Sequence, residues 1–414
     1  MQKKNAFLRP VVDDSFGLRL SVFFATSFLI VGCYMPYLPL WLKWRGLSEP
    51  QIALIYAVPV FTRALFIPAM TFLADRYERP AGFIKALSWG ALATILILPW
   101  AEGFPAIFAA VIVFTLFWMS VIPLTDTVAL AGARAGRADY GQMRLWGSIS
   151  FIAMTTGGGV AIDLWGPQAA IWLFIGAAGL VLASAYLLPR DADISSGGGA
   201  ADAKPVAARP ALRFADMVRL MKVPELWLFL IAAGAIQSAH AVYYIFGTLH
   251  WNAAQISPTI IGALWAIGVI AEIALFAYGA RVNRWFGPVQ LLAIAAAASA
   301  IRWTVTAFDP PLAVLFAVQA MHGLTFGAAH LGAMQFLTQA IPSRLAASAQ
   351  GLYASITASV AMGLAALAAG PLYHAYAGQA YLAMAALGAV GLVLALVLMR
   401  RWNGGVLAGD GRDN

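Results

Sequence analysis

Roughly twelve apolar stretches of about 20 residues or more, the length that carries a helix across a bilayer, are what most constrains this chain. They fall at about 18–42, 51–74, 81–100, 104–131, 144–164, 169–189, 224–248, 257–280, 288–308, 311–340, 345–370 and 379–399. In hydrocarbon every backbone N–H and C=O must be satisfied within the segment, so such stretches become helices. Of the 414 residues 62% are hydrophobic and 11% charged, whereas soluble proteins carry about 25% charged residues. The segments left between the stretches are too short for a sizeable soluble domain. A soluble enzyme, a nucleic-acid-binding protein and a single-pass receptor are excluded, and the pattern predicts an all-α membrane protein with twelve transmembrane helices.

Orientation follows from the Lys and Arg residues, which accumulate on the cytoplasmic side. With the N-terminus inside, 22 of the 26 fall in cytoplasmic segments, Lys43 and Arg45 lie outside, and Arg63 and Arg302 lie within spans. Both termini are therefore expected in the cytoplasm, and the net charge of +8 reflects topology, not an acidic partner. The first apolar run, Leu18–Leu42, is too long for a signal-peptide core and is read as an uncleaved span.

Residues 190–222 are rich in Gly, Ala, Pro and charge, as a flexible linker should be. They divide the chain into 1–189, with six spans, and 223–414, with six spans and a cytoplasmic tail. An internal repeat supports the division: Asp75-Arg76 with Arg79 has a counterpart in Asn283-Arg284, offset by 208 residues. Two six-helix halves joined by a cytoplasmic linker resemble the major facilitator superfamily. The string Leu73-Ala74-Asp75-Arg76-Tyr77-Glu78-Arg79 resembles its loop signature, with Thr71 and Glu78 where that family usually has glycine. The resemblance implies two helical bundles around a central cavity, with Asp75, Arg76, Arg79 and Arg284 as a conformational clamp.

Ionisable groups at bilayer depth cost several kcal/mol unless paired or hydrated, which makes each a functional candidate. The spans hold Arg63, Asp126, Arg144 (at the start of its span), Glu272 and Arg302, together with His240, His322 and His330. By charge, Asp126 can be matched with Arg144 and Glu272 with Arg302. Arg63 is the third cation, near the middle of its span, and suits a bidentate contact to a carboxylate substrate. Tyr37, Tyr243 and Tyr244 lie on spans one and seven, which correspond in the two halves, and offer rings that stack on an aromatic or sugar ring.

The buried pattern is similar to that of the lactose permease branch of proton symporters. That resemblance implies Asp126 and Arg144 as a substrate-binding pair, Phe151 at a stacking position, and Glu272, Arg302 and His322 as members of a proton-coupling network. Thr325 stands where that branch carries a protonated carboxylate, leaving Glu272 as first candidate for the proton carrier and His322 as second. Longer strings, Pro36 to Leu42, Tyr140 to Ser148, Ala239 to Tyr244 and His322 to Phe326, resemble the phenylpropionate permease family. This implies proton-coupled uptake of 3-phenylpropionate or a related aromatic monocarboxylate by alternating access, by a monomer in a bacterial cytoplasmic (inner) membrane.

Other readings within transport are a proton-coupled sugar or nucleoside importer, and a drug or metabolite exporter. No metalloprotease, aspartyl or reactive-cysteine motif is present, so no enzymatic activity is expected. Cys33 is the single cysteine, and no cofactor or metal is expected, the proton gradient being the driving force. The expected partners are a small-molecule substrate, protons and the lipid bilayer, with no nucleic acid.

Overall fold

The computed structural model describes residues 15–191 and 220–407. Most of the expected linker and the terminal Lys3, Lys4, Arg9 and Arg412 lie outside the described residues. The helices are α1 Ser15–Trp44, α2 Glu49–Arg76, α3 Pro80–Ile95, α4 Gly103–Met119, α5 Val121–Arg134, α6 Tyr140–Trp165 and α7 Ala169–Ala185. They continue with α8 Pro224–Ser238, α9 Ala241–Ala253, α10 Pro258–Ala277, α11 Gly279–Trp285, α12 Pro288–Thr306, α13 Leu312–Ala320, α14 Ala329–Ala340, α15 Ala346–Ala354, α16 Met362–Tyr376 and α17 Tyr381–Arg401. Two π-helical turns, Gly323–Ala328 and Ser355–Ala361, join α13 to α14 and α15 to α16. Among the described residues there is no strand.

Among the described residues, ten helical stretches are long and apolar enough to cross a membrane. One of them, Ser348–Arg401, runs for 54 residues and bends where Ala377 takes φ of 46°; α7 is equally apolar but has 17 residues. Helix starts follow local chemistry. Proline occupies the first turn of α3, α8, α10 and α12, where its missing N–H costs nothing. Asp139 caps α6 by accepting from the Gln142 amide at 2.8 Å, and Gly166, with φ of 80°, ends that helix.

The helices pack as two compact units, one of residues 15–41 with 65–191, the other of residues 42–64 with 220–407. In the first, Phe114 meets Phe174 edge-on at 4.9 Å, and the Cys33 thiol donates to the Ala170 carbonyl at 3.3 Å. In the second, the core stacks Phe229 on Phe336 at 4.2 Å and on Tyr353 at 5.7 Å. Residues 42–64, which the sequence places in the first half, pack in the second unit because two glycines leave room for them. A Cβ on Gly370 would fall 2.7 Å from that of Ala53, and one on Gly363 would fall 2.5 Å from the Phe61 ring. Large apolar side chains such as Leu65, Phe72, Leu164 and Val393 point outward, as a lipid-facing surface requires. Exposed Trp44, Trp100 and Trp165 stand at or just past the ends of α1, α3 and α6, the usual place for interfacial tryptophans.

Candidate functional site

Small residues bring α10 against the π-helical turn Gly323–Ala328. A Cβ on Gly323 would lie 2.8 Å from the Ala271 carbonyl oxygen, and one on Gly268 would lie 3.3 Å from the His322 Cβ. This close approach sets Glu272 beside His322, with Glu272 Oε2 3.6 Å from His322 Nε2. π-Helical turns occur at functional sites more often than their rarity would suggest, and Thr325 sits inside this one.

Arg302 on α12 is fully buried. Its Nη2 donates to Gln319 Oε1 at 2.7 Å, and its Nη1 donates to Thr325 Oγ1 at 2.9 Å and lies 3.2 Å from His322 Nδ1. All three partners are neutral side chains. Glu272 and Arg302, matched by charge in the sequence, both meet the His322 ring, one at each nitrogen. Opposite charge identifies possible partners but not which helix faces meet. Gln319 and Thr325 were not among the sequence candidates for this site, although both share a helix face with His322 at three-residue spacing, which was the available signal.

The hydrogen bonds fix which ring nitrogens carry protons. A guanidinium can only donate, so His322 accepts at Nδ1 and its proton sits on Nε2, facing Glu272. His240 Nδ1 lies 3.2 Å from the carbonyl oxygens of Ile236 and Gln237, which can only accept, so the ring carries its proton there. Its Nε2, 3.0 Å from Thr325 Oγ1, therefore accepts from that hydroxyl. A directional chain results, Arg302 to Thr325 to His240. Neither His240 nor Thr325 could be assigned this role from sequence, because the link joins residues 85 positions apart.

Aromatic rings enclose the cluster. The Tyr243 ring stacks on Trp265 at 4.5 Å and lies 5.6 Å from Trp303, and Tyr244 is 5.4 Å from Tyr243. The Arg302 Cζ is 4.3 Å from the Trp303 ring centre and 5.0 Å from that of Tyr243, contacts worth about 2 kcal/mol when desolvated.

The first unit holds a smaller polar cluster. Asp126 Oδ1 accepts from the Tyr140 hydroxyl at 3.0 Å, and Arg144 interacts with Asp126 electrostatically. The Arg144 Cζ lies 3.9 Å from the Phe28 ring centre and 5.9 Å from that of Phe24. Tyr37 is fully buried, with its hydroxyl donated to the Thr155 carbonyl, and Phe151 is buried as well. Arg63, half-buried on α2, is engaged by a neighbour, so its candidacy rests on its depth alone.

At the loop signature, Asp75, Arg76, Arg79 and Arg284 are all exposed. Glu78 takes φ of 53°, the left-handed conformation that explains why glycine is favoured there. The carboxylate that caps the start of α3 is Asp191, which accepts from the amides of Ala81 at 2.7 Å and Gly82 at 3.3 Å. Sequence reasoning missed this role because cap and helix are 110 residues apart. Among the described residues no group of three or more His, Cys, Asp or Glu could hold a metal.

Comparison with known proteins agrees with this architecture. The "Probable 3-phenylpropionic acid transporter" of Escherichia coli (strain K12) is 29% identical over 359 residues, 86% of this chain and 90% of that protein. The "Maltose permease" of Geobacillus stearothermophilus is 25% identical over 386 residues, 92% and 94% of the two chains. Among solved structures, that of the nucleoside transporter NupG superposes with a TM-score of 0.76 at 17% identity, covering 94% of this chain and 100% of that one. The sequence profile of the MFS_1 like family matches residues 17–383, so the chain belongs to that family of major facilitator transporters.

Proposed function

We propose that the chain is a proton-coupled importer of a small aromatic monocarboxylate such as 3-phenylpropionate, working by alternating access. In this reading it has twelve spans in two six-helix bundles, residues 1–189 and 223–414, joined by a cytoplasmic linker over 190–222. It lies in a bacterial inner membrane with both termini in the cytoplasm and works as a monomer. The observation that carries the coupling is the arrangement of Arg302, which bonds the neutral side chains of Gln319, Thr325 and His322 while Glu272 lies against the far nitrogen of that His322 ring. A buried cation costs several kcal/mol unless its charge is met. Protonation of Glu272 or His322 therefore changes the balance of the whole cluster, which is what a coupling site must do. Tyr243, Tyr244 and the neighbouring tryptophans supply the aromatic surface, and Arg63, on a segment of the same unit, the cation, for an aryl carboxylate. The name of the Escherichia coli relative points to the same substrate class.

Glu272→Gln keeps the shape of the side chain and removes its titration. In proteoliposomes this variant should lose 3-phenylpropionate accumulation driven by a pH gradient while retaining exchange of labelled for unlabelled substrate. Undiminished accumulation would eliminate Glu272 as the carrier. A second reading, import of a sugar or nucleoside, is favoured by the Asp126 cluster and by relatives named "Maltose permease" and "Putative nucleoside transporter YegT". The two readings separate by substitution: Asp126→Ala should matter most for a hydroxyl-rich substrate and Arg63→Ala for a carboxylate.

A further inference from the structure

A second histidine–carboxylate contact lies in the same unit as Glu272 and His322. His250, in the last turn of α9, is buried, and its Nε2 is 2.6 Å from Oδ1 of Asp309, whose side chain is 64% exposed. Asp309 follows α12 with φ of 49°, a conformation in which most residues with a side chain are strained and which persists only where its surroundings hold it. His250 Nδ1 is 3.2 Å from the Tyr373 hydroxyl, and the Tyr381 ring meets His250 edge-on at 5.8 Å. Gly378 makes the approach possible, since a Cβ there would fall 2.7 Å from His250 Cε1. The titratable groups facing His250 are thus Asp309, Tyr373 and Tyr381. Glu49 interacts with Tyr373 in turn, and is itself held by Lys43 at 2.5 Å and His374 at 3.0 Å.

Tyr381 links this pair to the buried cluster. Its ring stacks on Trp303 at 5.7 Å, the same indole that carries the Arg302 guanidinium, and its buried hydroxyl has no hydrogen-bond partner among the described residues. An exposed carboxylate, an imidazole and a buried phenol therefore run from solvent toward Arg302.

We infer that Asp309 and His250 form a proton-collecting site, on the side of the second unit where α9 ends, that loads the proton later taken up by Glu272 and His322. The inference rests on the proton-coupled reading above. A hydronium ion gives its proton to the pair and leaves as water. The proton is held across the 2.6 Å contact as imidazolium and carboxylate, and the pair gains one positive charge. The last turn of a helix favours that cation. No electron moves and no other bond is broken; the pair returns to its starting state when the proton leaves the ring nitrogen that took it up.

The test compares Asp309→Asn and His250→Gln with the wild type in proteoliposomes, using 3-phenylpropionate as the probe. Asn tolerates the left-handed backbone, and the Gln amide can still donate to Asp309, so both variants keep the local contacts. Each should lose at least about tenfold in uptake driven by external acidity. Each should keep counterflow at equal pH, which needs no net proton movement, within about twofold of wild type. Parallel loss of both processes, or loss of neither, would overturn the inference while leaving the proton-coupled reading intact. Wild-type uptake indifferent to the pH gradient would overturn both.

Discussion

Thr325 illustrates how much depends on single donors and acceptors in this interior. Its hydroxyl accepts from Arg302 and donates to His240, both buried, so it connects a cation to a neutral imidazole without adding charge. Thr325→Val keeps the shape, takes from His240 Nε2 its donor and leaves Arg302 one hydrogen bond short. An unsatisfied buried group costs about 1–3 kcal/mol, so the variant should melt several degrees lower, with Thr325→Ser restoring most of the loss. Equal melting of all three proteins would show that the hydroxyl is not needed for that connection. The candidate residues on α10, α12 and the turn after α13 were recognisable from sequence because charge in a span is conspicuous. Gln319 was not, since a neutral amide among apolar residues carries no charge signal, and its role appears only once α12 lies beside it.

At the scale of elements, close packing and the π-helical turn matter more than helix propensity. The turn Gly323–Ala328 presents His322 and Thr325 to Arg302, and Gly323 lets the backbone of α10 approach. Gly323→Ala would place a methyl 2.8 Å from the Ala271 carbonyl oxygen, closer than real contacts allow, and would push α10 and Glu272 away from His322. The expected result is a lower melting temperature together with fewer protons moved per substrate. An unchanged proton-to-substrate ratio would show that coupling does not need this approach. Apolar length located the spans, but not their interruptions. The breaks at Ser120, between α4 and α5, and at His240, between α8 and α9, occur inside runs that read as single helices. Pro123, which cannot donate to the Met119 carbonyl, marks the first break; no proline or glycine marks the second, between Gln237 and Tyr243.

For the molecule as a whole, the membrane class, the major facilitator fold and the transporter function were all readable from apolar run lengths and motif strings. These are properties of local sequence, and a bilayer imposes them strongly. The grouping of residues 42–64 with the second unit was not readable, because it depends on Gly363 and Gly370, roughly 300 positions further along the chain. Substrate choice is also weakly written in the sequence, since relatives named for an aryl acid, a disaccharide and nucleosides all match most of the chain. The most direct test of proton-coupled carboxylate import is therefore a flux measurement on the wild-type protein. Proteoliposomes loaded with a pH-sensitive dye and held at zero membrane potential are given 3-phenylpropionate outside. Coupled import predicts prompt acidification of the lumen with substrate uptake, abolished by Glu272→Gln; uptake with no accompanying proton entry would contradict it.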